Sequence, residues 1–424
     1  MKIWLPIYTL FWVLLSGFIP IIAFFSPKVR AWWRARRTPP PILPVDRAVL
    51  WMHCASVGEF EQGRPVLEYF IQQLPHKPYI VVTFFSPSGW QRYQQSYPLA
   101  DWLGPAPLDL PWQVKQWIQA IHPTAVFFVK YDLWPNILYE LHRRSCPTYL
   151  LAAHVEPLRG LRWWWRRQLL PYLNHIFVQT PADQVRLSTE GFIRVTMAGD
   201  SRLIRVRQLV ENWLPVSGIA EWIGDHFCII AGSIWEPDAR FLAKAYEHLR
   251  GFQIRWILVP HEVNPRSIET LHRLWPVRCA TYTRPEWPSE RDTLIIDTLG
   301  LLAYLYSYGH VAWVGGGFGK GIHNILEAVA YKKPVFFGPN FQDFPEAKEL
   351  IKSGVAETCR YPVSFANSVK SLIKDRRRLQ IIAEKAEAYL SNKPDTPRIV
   401  WELLQKEAWV QRLLQPDRPG TPLG

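Results

Sequence analysis

VGGGFGKGIHNILEA, Val314 to Ala328, governs how the rest of the chain is read. The run before it, HVAWV (His310 to Val314), reads as a buried strand. Five glycines then form a loop, and a helix start follows. Glycine lets backbone N–H groups approach an anion closely, and a helix N-terminus adds a favourable dipole. Gly315, Gly316 and Gly317 are therefore candidates for the phosphate side of a ligand, with Lys320 as a nearby cation. Asn324 and Glu327, three residues apart, fall on one face of the expected first turn. A glutamate there does not favour phosphate, but it can accept hydrogen bonds from a ribose diol. The pattern points to a nucleotide or nucleotide sugar, although it is neither GxGxxG nor a Walker sequence. A glycine-rich turn with a capping Asn is the plainer reading of the same residues.

Outward from this loop, short apolar runs alternate with helical patterns. VLWMH (Val49 to His53), YIVVTFF, TAVFFVK, TYLLAA and HIFVQT form a first series. FCIIAG (from Phe227), RWILVP, TLIID, HVAWVG and PVFFG form a second. Continuous apolar runs fit parallel strands covered on both faces. Two such series predict an α/β protein of two doubly wound domains with a cleft between them. At 424 residues the chain exceeds one typical core. The break falls near Pro215 and Gly218, giving expected domains at 47–212 and 213–390, with a C-terminal helix and Pro-rich tail over 391–424.

Leu5 to Phe25 is apolar and, at roughly 20 residues, long enough to cross a bilayer. Lys28, Arg30, Arg34, Arg36 and Arg37 follow it, which by the positive-inside rule keeps the bulk of the chain cytoplasmic. The expectation is a membrane anchor over 1–26 and a basic, Pro-rich linker over 27–46. The formal net charge of +13 and 22 tryptophans fit an anionic membrane or a phosphorylated substrate. Nucleic acid would explain the charge but not the anchor, and is not expected as a partner. The five cysteines have neither CxxC nor metal-like spacing.

Ligands in doubly wound sheets bind beyond the strand C-termini. After VLWMH comes CASVGEFEQG, offering Ser56, Gly58 and Glu59. Glu59 is a candidate general base, or else a helix-start residue that complements the macrodipole. SPSGW offers Ser86, and YDLWPN offers Asp132. In the second series AGSIWEPD offers Ser233, and WILVPHE offers His261. RGLRWWWRR surrounds Trp163 and Trp164 with Arg162, Arg166 and Arg167, a candidate patch for anionic headgroups and lipid phosphates. Its plainer reading is a helix with Trp towards the core. No HExxH or DxD-like pair stands out, so no metal is expected.

Taken in order, HCASVGEFEQG, PLDLPWQVKQWI, YDLWPN, AGDSRLIRV, AGSIWEPD and the block Asp297 to Ala347 closely resemble the 3-deoxy-D-manno-octulosonic acid (Kdo) transferases of lipid A assembly. The resemblance covers nearly the whole chain after the linker. It implies a membrane-anchored GT-B fold on the cytoplasmic side of the inner membrane. It further implies CMP-Kdo as donor substrate, the lipid A disaccharide precursor (lipid IVA) as acceptor, inversion, and no cofactor or active-site metal. By position, Glu59 matches the family's general base, while Ser233, Gly315 to Gly317, Asn324 and Glu327 match positions around CMP. The chain departs from the family where two glutamates are usual and it has Lys130 and Asp132, at His154 in place of an arginine, and around His261. Another GT-B lipid glycosyltransferase, a nucleotide-sugar epimerase or a non-catalytic scaffold binding a nucleotide sugar are the competing readings.

Overall fold

The computed structural model describes residues 5–36, 40–41, 43, 47–93, 97–130, 132–155, 160–284, 287 and 290–415. Two compact units emerge: Met1–Ile204 together with Pro394–Gly424, and Arg205–Lys393. The division lies at 204/205 rather than near Pro215, and the chain returns to the first unit at Pro394.

The first unit is built on a seven-stranded parallel sheet. Its strands are β1 (Val49–Cys54), β2 (Tyr79–Phe84), β3 (Trp102–Pro105), β4 (Ala125–Val129), β5 (Thr148–Ala153), β6 (His175–Val178) and β7 (Val195–Met197). They run in the order β3-β2-β1-β4-β5-β6-β7. The register pairs Val49 with Tyr79 on one side of β1 and Leu50 with Ala125 on the other. β1, β4 and β5 are buried along their whole length, as the unbroken apolar runs require.

The second unit repeats the plan with β8 (Phe227–Ile234), β9 (Ile254–Pro260), β10 (Ala280–Thr281), β11 (Thr293–Ile295), β12 (Val311–Val314), β13 (Val335–Phe337) and β14 (Ala356–Thr358). Their order is β10-β11-β9-β8-β12-β13-β14, again parallel throughout. In each sheet the order reverses beside the first strand, between β1 and β4 and between β8 and β12. Those two reversals are where such sheets open a crevice for ligand. The strands β3, β7, β10 and β14 are both short and broken by Gly, Pro, Thr or Glu, so no apolar run announces them.

The prolines have a positional logic. Helices begin with Pro111, Pro135, Pro181, Pro265, Pro345 and Pro362, where the missing N–H is one of the unpaired first-turn donors anyway. At the N-terminus, α1 (Leu5–Phe25) is a helix long and apolar enough to cross a membrane, and Pro20 lies inside it. The basic segment behind it is helix α2 (Pro27–Ala35), capped by the Ser26 hydroxyl, so the first part of the expected linker is ordered secondary structure. Of the remaining linker, 37–39, 42 and 44–46 lie outside the described residues, as does the expected Pro-rich tail at 416–424.

The last two helices, Thr396–Leu404 and Ala408–Leu414, complete the first unit's core. Trp401 lies edge-on to Phe70 at 5.0 Å, and Trp409 Nε1 donates to the Tyr149 hydroxyl at 2.7 Å.

Candidate active site

At the β1–β4 reversal the chain leaves β1 and enters helix α3 (Val57–Gln73), with Ser56 as its N-cap. The Ser56 hydroxyl accepts from the Glu59 N–H at 3.4 Å, while the Glu59 carboxylate accepts from the Ala55 N–H at 2.5 Å. This reciprocal arrangement is a close variant of the capping box. Glu59 therefore does cap the helix, yet capping does not exhaust it. Burial pushes its pKa up to about 7; the Ala55 N–H works against that rise, Asp132 adds to it and Lys130 opposes it. A carboxylate titrating there is matched to proton transfer near neutral pH.

Asp132 is less available than its sequence position implies. His53, fully buried on β1, sets its Nε2 2.8 Å from the Asp132 carboxylate and its Nδ1 2.8 Å from the Thr83 hydroxyl. Trp51 Nε1 donates to that same hydroxyl at 2.9 Å. Trp134 Nε1 also lies 3.1 Å from His53 Nε2, so Asp132 and Trp134 meet on one ring nitrogen, whose tautomer sets which of the two it bonds. This buried relay orients Asp132 beside Glu59, and reading the sequence alone did not find His53. Its signal was a polar residue one short of the end of an otherwise apolar strand.

Ser86 sits on the neighbouring loop, where its N–H donates to the Ala55 carbonyl at 2.9 Å, so β2's end is tied to the turn that carries Glu59. Gly58 has open space around it: an added Cβ would meet only the Ser56 hydroxyl at 4.0 Å. Lys130 takes a left-handed backbone conformation at φ 60°, unusual for a residue with a side chain. His154 departs from the cluster, pairing through Nδ1 with Asp183 at 3.0 Å.

The β8–β12 reversal is built differently. Ser233 has φ 51°, and there the register between β8 and β9 shifts. Ala152 repeats this device at the end of β5, with φ 52° and a register shift against β6. Such strain at strand ends tends to cluster at functional sites. Gly315 is forced by the bend at Ser233, because a Cβ there would lie 2.3 Å from the Ser233 carbonyl oxygen. Gly317 meets the backbone of Gly338 in the same way, and Gly316 has φ 95°.

The expected anion-cradling donors are partly committed elsewhere. Gly316 N–H donates to the Asp238 carboxylate at 3.0 Å, and Gly315 N–H donates to the Gly232 carbonyl. Asp238 also accepts from the Trp235 N–H at 3.0 Å. Burial raises the Asp238 pKa, with the Gly316 and Trp235 N–H groups pulling the other way. The expected helix start shortens to Leu326–Ala330, so Asn324 precedes the first turn instead of lying in it. Asn324 and Glu327 nonetheless meet: the Asn324 side-chain amide donates to Glu327 at 3.0 Å. Lys320 stands exposed on the loop.

His261 does not stand alone. Its ring stacks on Trp235 at 4.5 Å and on His323 at 4.1 Å, and Trp235 Nε1 donates to His323 Nε2 at 2.8 Å. Burial, with His261 adding to it, lowers the His323 pKa to about 4, so His323 is neutral and accepts that bond. Trp235 and His323 were legible only as members of quoted strings, and this aromatic stack is what the fold adds to them.

In the basic patch, Trp163 and Trp165 pack against the first unit's core while Trp164 is 49% exposed. Arg167 pairs with Glu190 at 3.2 Å. Arg159 and the side chain of Arg162 lie outside the described residues.

Comparison with known proteins adds kinship to this geometry. The sequence profile described as 3-deoxy-D-manno-octulosonic-acid transferase (kdotransferase) matches residues 30–205. A 3-deoxy-D-manno-octulosonic acid transferase of Aquifex aeolicus is 24% identical, over 80% of this chain and 90% of that protein. One from Chlamydia muridarum is 22% identical, over 91% and 92%. Among solved structures, the UDP-GlcNAc 2-epimerase of Neisseria meningitidis superposes with a TM-score of 0.58 at 15% identity, covering 85% of this chain and all of that one. That likeness concerns the fold, a pair of Rossmann-like units of GT-B type.

Proposed function

This chain belongs to the 3-deoxy-D-manno-octulosonic acid (Kdo) transferase family and is a glycosyltransferase, and from that premise we propose that it moves Kdo from CMP-Kdo to the lipid A disaccharide precursor with inversion. The observation that carries the reading is Glu59, a carboxylate at a strand-order reversal whose pKa burial pushes up to about 7.

In this mechanism Glu59 takes the proton from an acceptor hydroxyl as its oxygen attacks the anomeric carbon of Kdo. The new C–O bond forms on the face opposite the breaking bond to the CMP phosphate, and CMP leaves. A single displacement of this kind inverts the centre. Glu59 can serve because its ionised form is present above about pH 7.

CMP is assigned to the second unit, between the Ser233 bend, the Gly315 to Gly317 backbone and the Asn324–Glu327 pair. Glu327 suits a ribose diol, and the Trp235–His261–His323 stack offers π-faces to the base. Lys320 is a mobile-armed cation for the departing phosphate, and the reading requires no metal or other cofactor. Ser56, Gly58, Ser86 and Asp132 surround the acceptor end. The inner membrane is the assigned location, with the catalytic units on the cytoplasmic side and Trp164, Arg166 and Arg167 of the basic patch towards lipid phosphates.

The test is purified protein with CMP-Kdo and a tetraacylated lipid A precursor in EDTA, products weighed by mass spectrometry, with Glu59→Gln alongside. Gain of one or more Kdo masses by the wild type, lost in a folded variant that still binds CMP, is the expected result. Product from a UDP-sugar instead of CMP-Kdo would transfer the reading to another lipid glycosyltransferase.

A further inference from the structure

Helix α1 has 21 residues, about 30 Å at 1.5 Å per residue, so a spanning arrangement would put its two ends on opposite sides of a bilayer. Both ends instead lie against the same unit. Near the N-terminal end, the Thr9 hydroxyl donates to the Asn136 side-chain oxygen at 3.2 Å, and the Tyr8 ring sits 5.3 Å from Trp165. One turn on, Trp12 lies 5.8 Å from Trp134. Farther along, Leu15 and Ile19 share an apolar cavity with Phe85 and Pro87, and Ala23 is buried.

At the C-terminal end α2 folds back on α1. Arg30 donates to the carbonyls of Ala23 and Phe24 at 2.9 and 2.6 Å, and Trp32 Nε1 donates to the Phe85 carbonyl at 3.2 Å. Tyr8, Trp12, Leu15, Ile19 and Ala23 are spaced by four, three, four and four residues, which makes one stripe of the helix. The stripe beside it, about 100° round the helix, faces outward and holds no polar group: Ile7, Phe11, Leu14, Phe18, Ile22 and Phe25 are 47% to 79% exposed, and Leu10, Ile21 and Phe24 continue that apolar face to the far side.

Crossing a bilayer in this arrangement would drag charge into hydrocarbon. Tyr8 hydrogen-bonds to Asp109, whose carboxylate also accepts from the backbone N–H groups of Asn136 and Ile137 at 3.0 and 2.9 Å. A carboxylate with that many structural bonds cannot follow Tyr8 to the far leaflet without large cost. Arginines flank both ends as well: Arg30 and Arg34 on α2, and Arg166 and Arg167 on the helix Leu161–Leu169, beside Trp165 and the exposed Trp164. A spanning helix needs its basic flank on one side only.

We propose that α1 lies in the plane of an anionic membrane surface. Its outward stripe enters the acyl region, α2 and the helix Leu161–Leu169 rest at headgroup level, and the protein occupies one leaflet without crossing it. This placement stands apart from the choice of donor and acceptor.

The experiment uses the full chain in phosphatidylethanolamine–phosphatidylglycerol vesicles. Spin labels go on Ile7→Cys, Leu14→Cys and Phe25→Cys in a Cys146→Ser background, since the other four native thiols are buried. Immersion depth is read from the ratio of oxygen to nickel-chelate accessibility. The expected profile is level, with all three labels at similar depth. In cells, a membrane-impermeant maleimide should never reach Ile7→Cys from the periplasmic side. A profile peaked at Leu14, or labelling of Ile7→Cys from that far side, would show a spanning helix and overturn the proposal. Failure to partition into the vesicles would overturn it as well, and a Kdo-transfer assay on the same variants tells that outcome from loss of the fold.

Discussion

The two strand-order reversals divide labour in opposite ways. Beyond β12 the loop is rich in glycine, yet its glycines are demanded by neighbouring backbone: Gly315 by Ser233, Gly317 by Gly338. The N–H of Gly316 is held by Asp238. Beyond β1 the turn carries the single glycine Gly58 with open space around it, and there sits Glu59, whose pKa burial pushes up to about 7. Glycine content reported packing constraint in one case and open space in the other. The lesson is that a loop's function is read from what its backbone groups already touch.

The sharpest way to break this comparison is Glu59→Gln. A positioned base contributes about 10²- to 10⁴-fold, so transfer should fall by that factor, measured as kcat, with CMP affinity unchanged. The fold should survive. Because burial raises the Glu59 pKa above that of an unfolded carboxylate, the wild type loses stability as pH rises from the ordinary Glu range through about 7. The Gln variant lacks that loss, so at pH 8 its melting temperature should equal or exceed the wild type's. A clear drop would return Glu59 to a purely capping role.

Next in size is Gly315→Ala. Overpacking against a backbone carbonyl costs roughly 1–3 kcal/mol, and the variant's denaturation midpoint should fall accordingly. Asp238→Ala should weaken the same loop by stranding the buried N–H of Gly316, at about 1–3 kcal/mol, and by freeing the less buried N–H of Trp235. Wild-type stability in either variant would mean the second loop is as open as the first.

A subtler comparison is the pH profile. Transfer by the wild type should rise with pH and level off above about 7, the limb belonging to Glu59 ionisation. A profile flat down to pH 5 would separate the rate from that carboxylate. The smallest structural effect belongs to Gly58→Ala, within about 0.5 kcal/mol of wild type by calorimetry. If its Michaelis constant for the lipid acceptor rises while the melting temperature stays, the open space beside Glu59 is substrate space.

Much of this was legible in the sequence. The long strands were, because burial on both faces leaves unbroken apolar runs such as VLWMH and TAVFFVK. The positions of Glu59 and Ser233 at the ends of strands were, because a strand end before a helical pattern is recognisable. The strands β3, β7, β10 and β14 were not, since WLGP, VTM, AT and AET hold Gly, Pro, Thr or Glu where the equally short β11 and β13 are all or nearly all apolar. The commitment of Gly316 to Asp238 was hidden because the two lie 78 residues apart. The His53–Asp132 contact spans 79 residues and joins β1 to the loop after β4, whose adjacency only the topology supplies. The α2 helix was masked by the prolines beyond it, and a linker was expected where a capped helix stands.

The return of the C-terminal helices has a consequence in time. Val400, Leu404, Trp409 and Val410 fill the first unit's core beside Phe70, Phe127 and Tyr149. During synthesis that core stays open while the whole of Arg205–Lys393 leaves the ribosome and can already close on itself. The half of the protein made first is thus finished last. A ribosome stalled short of Trp409 presents a hydrophobic trough to chaperones, and a frameshift in the final codons harms the unit encoded at the opposite end of the message.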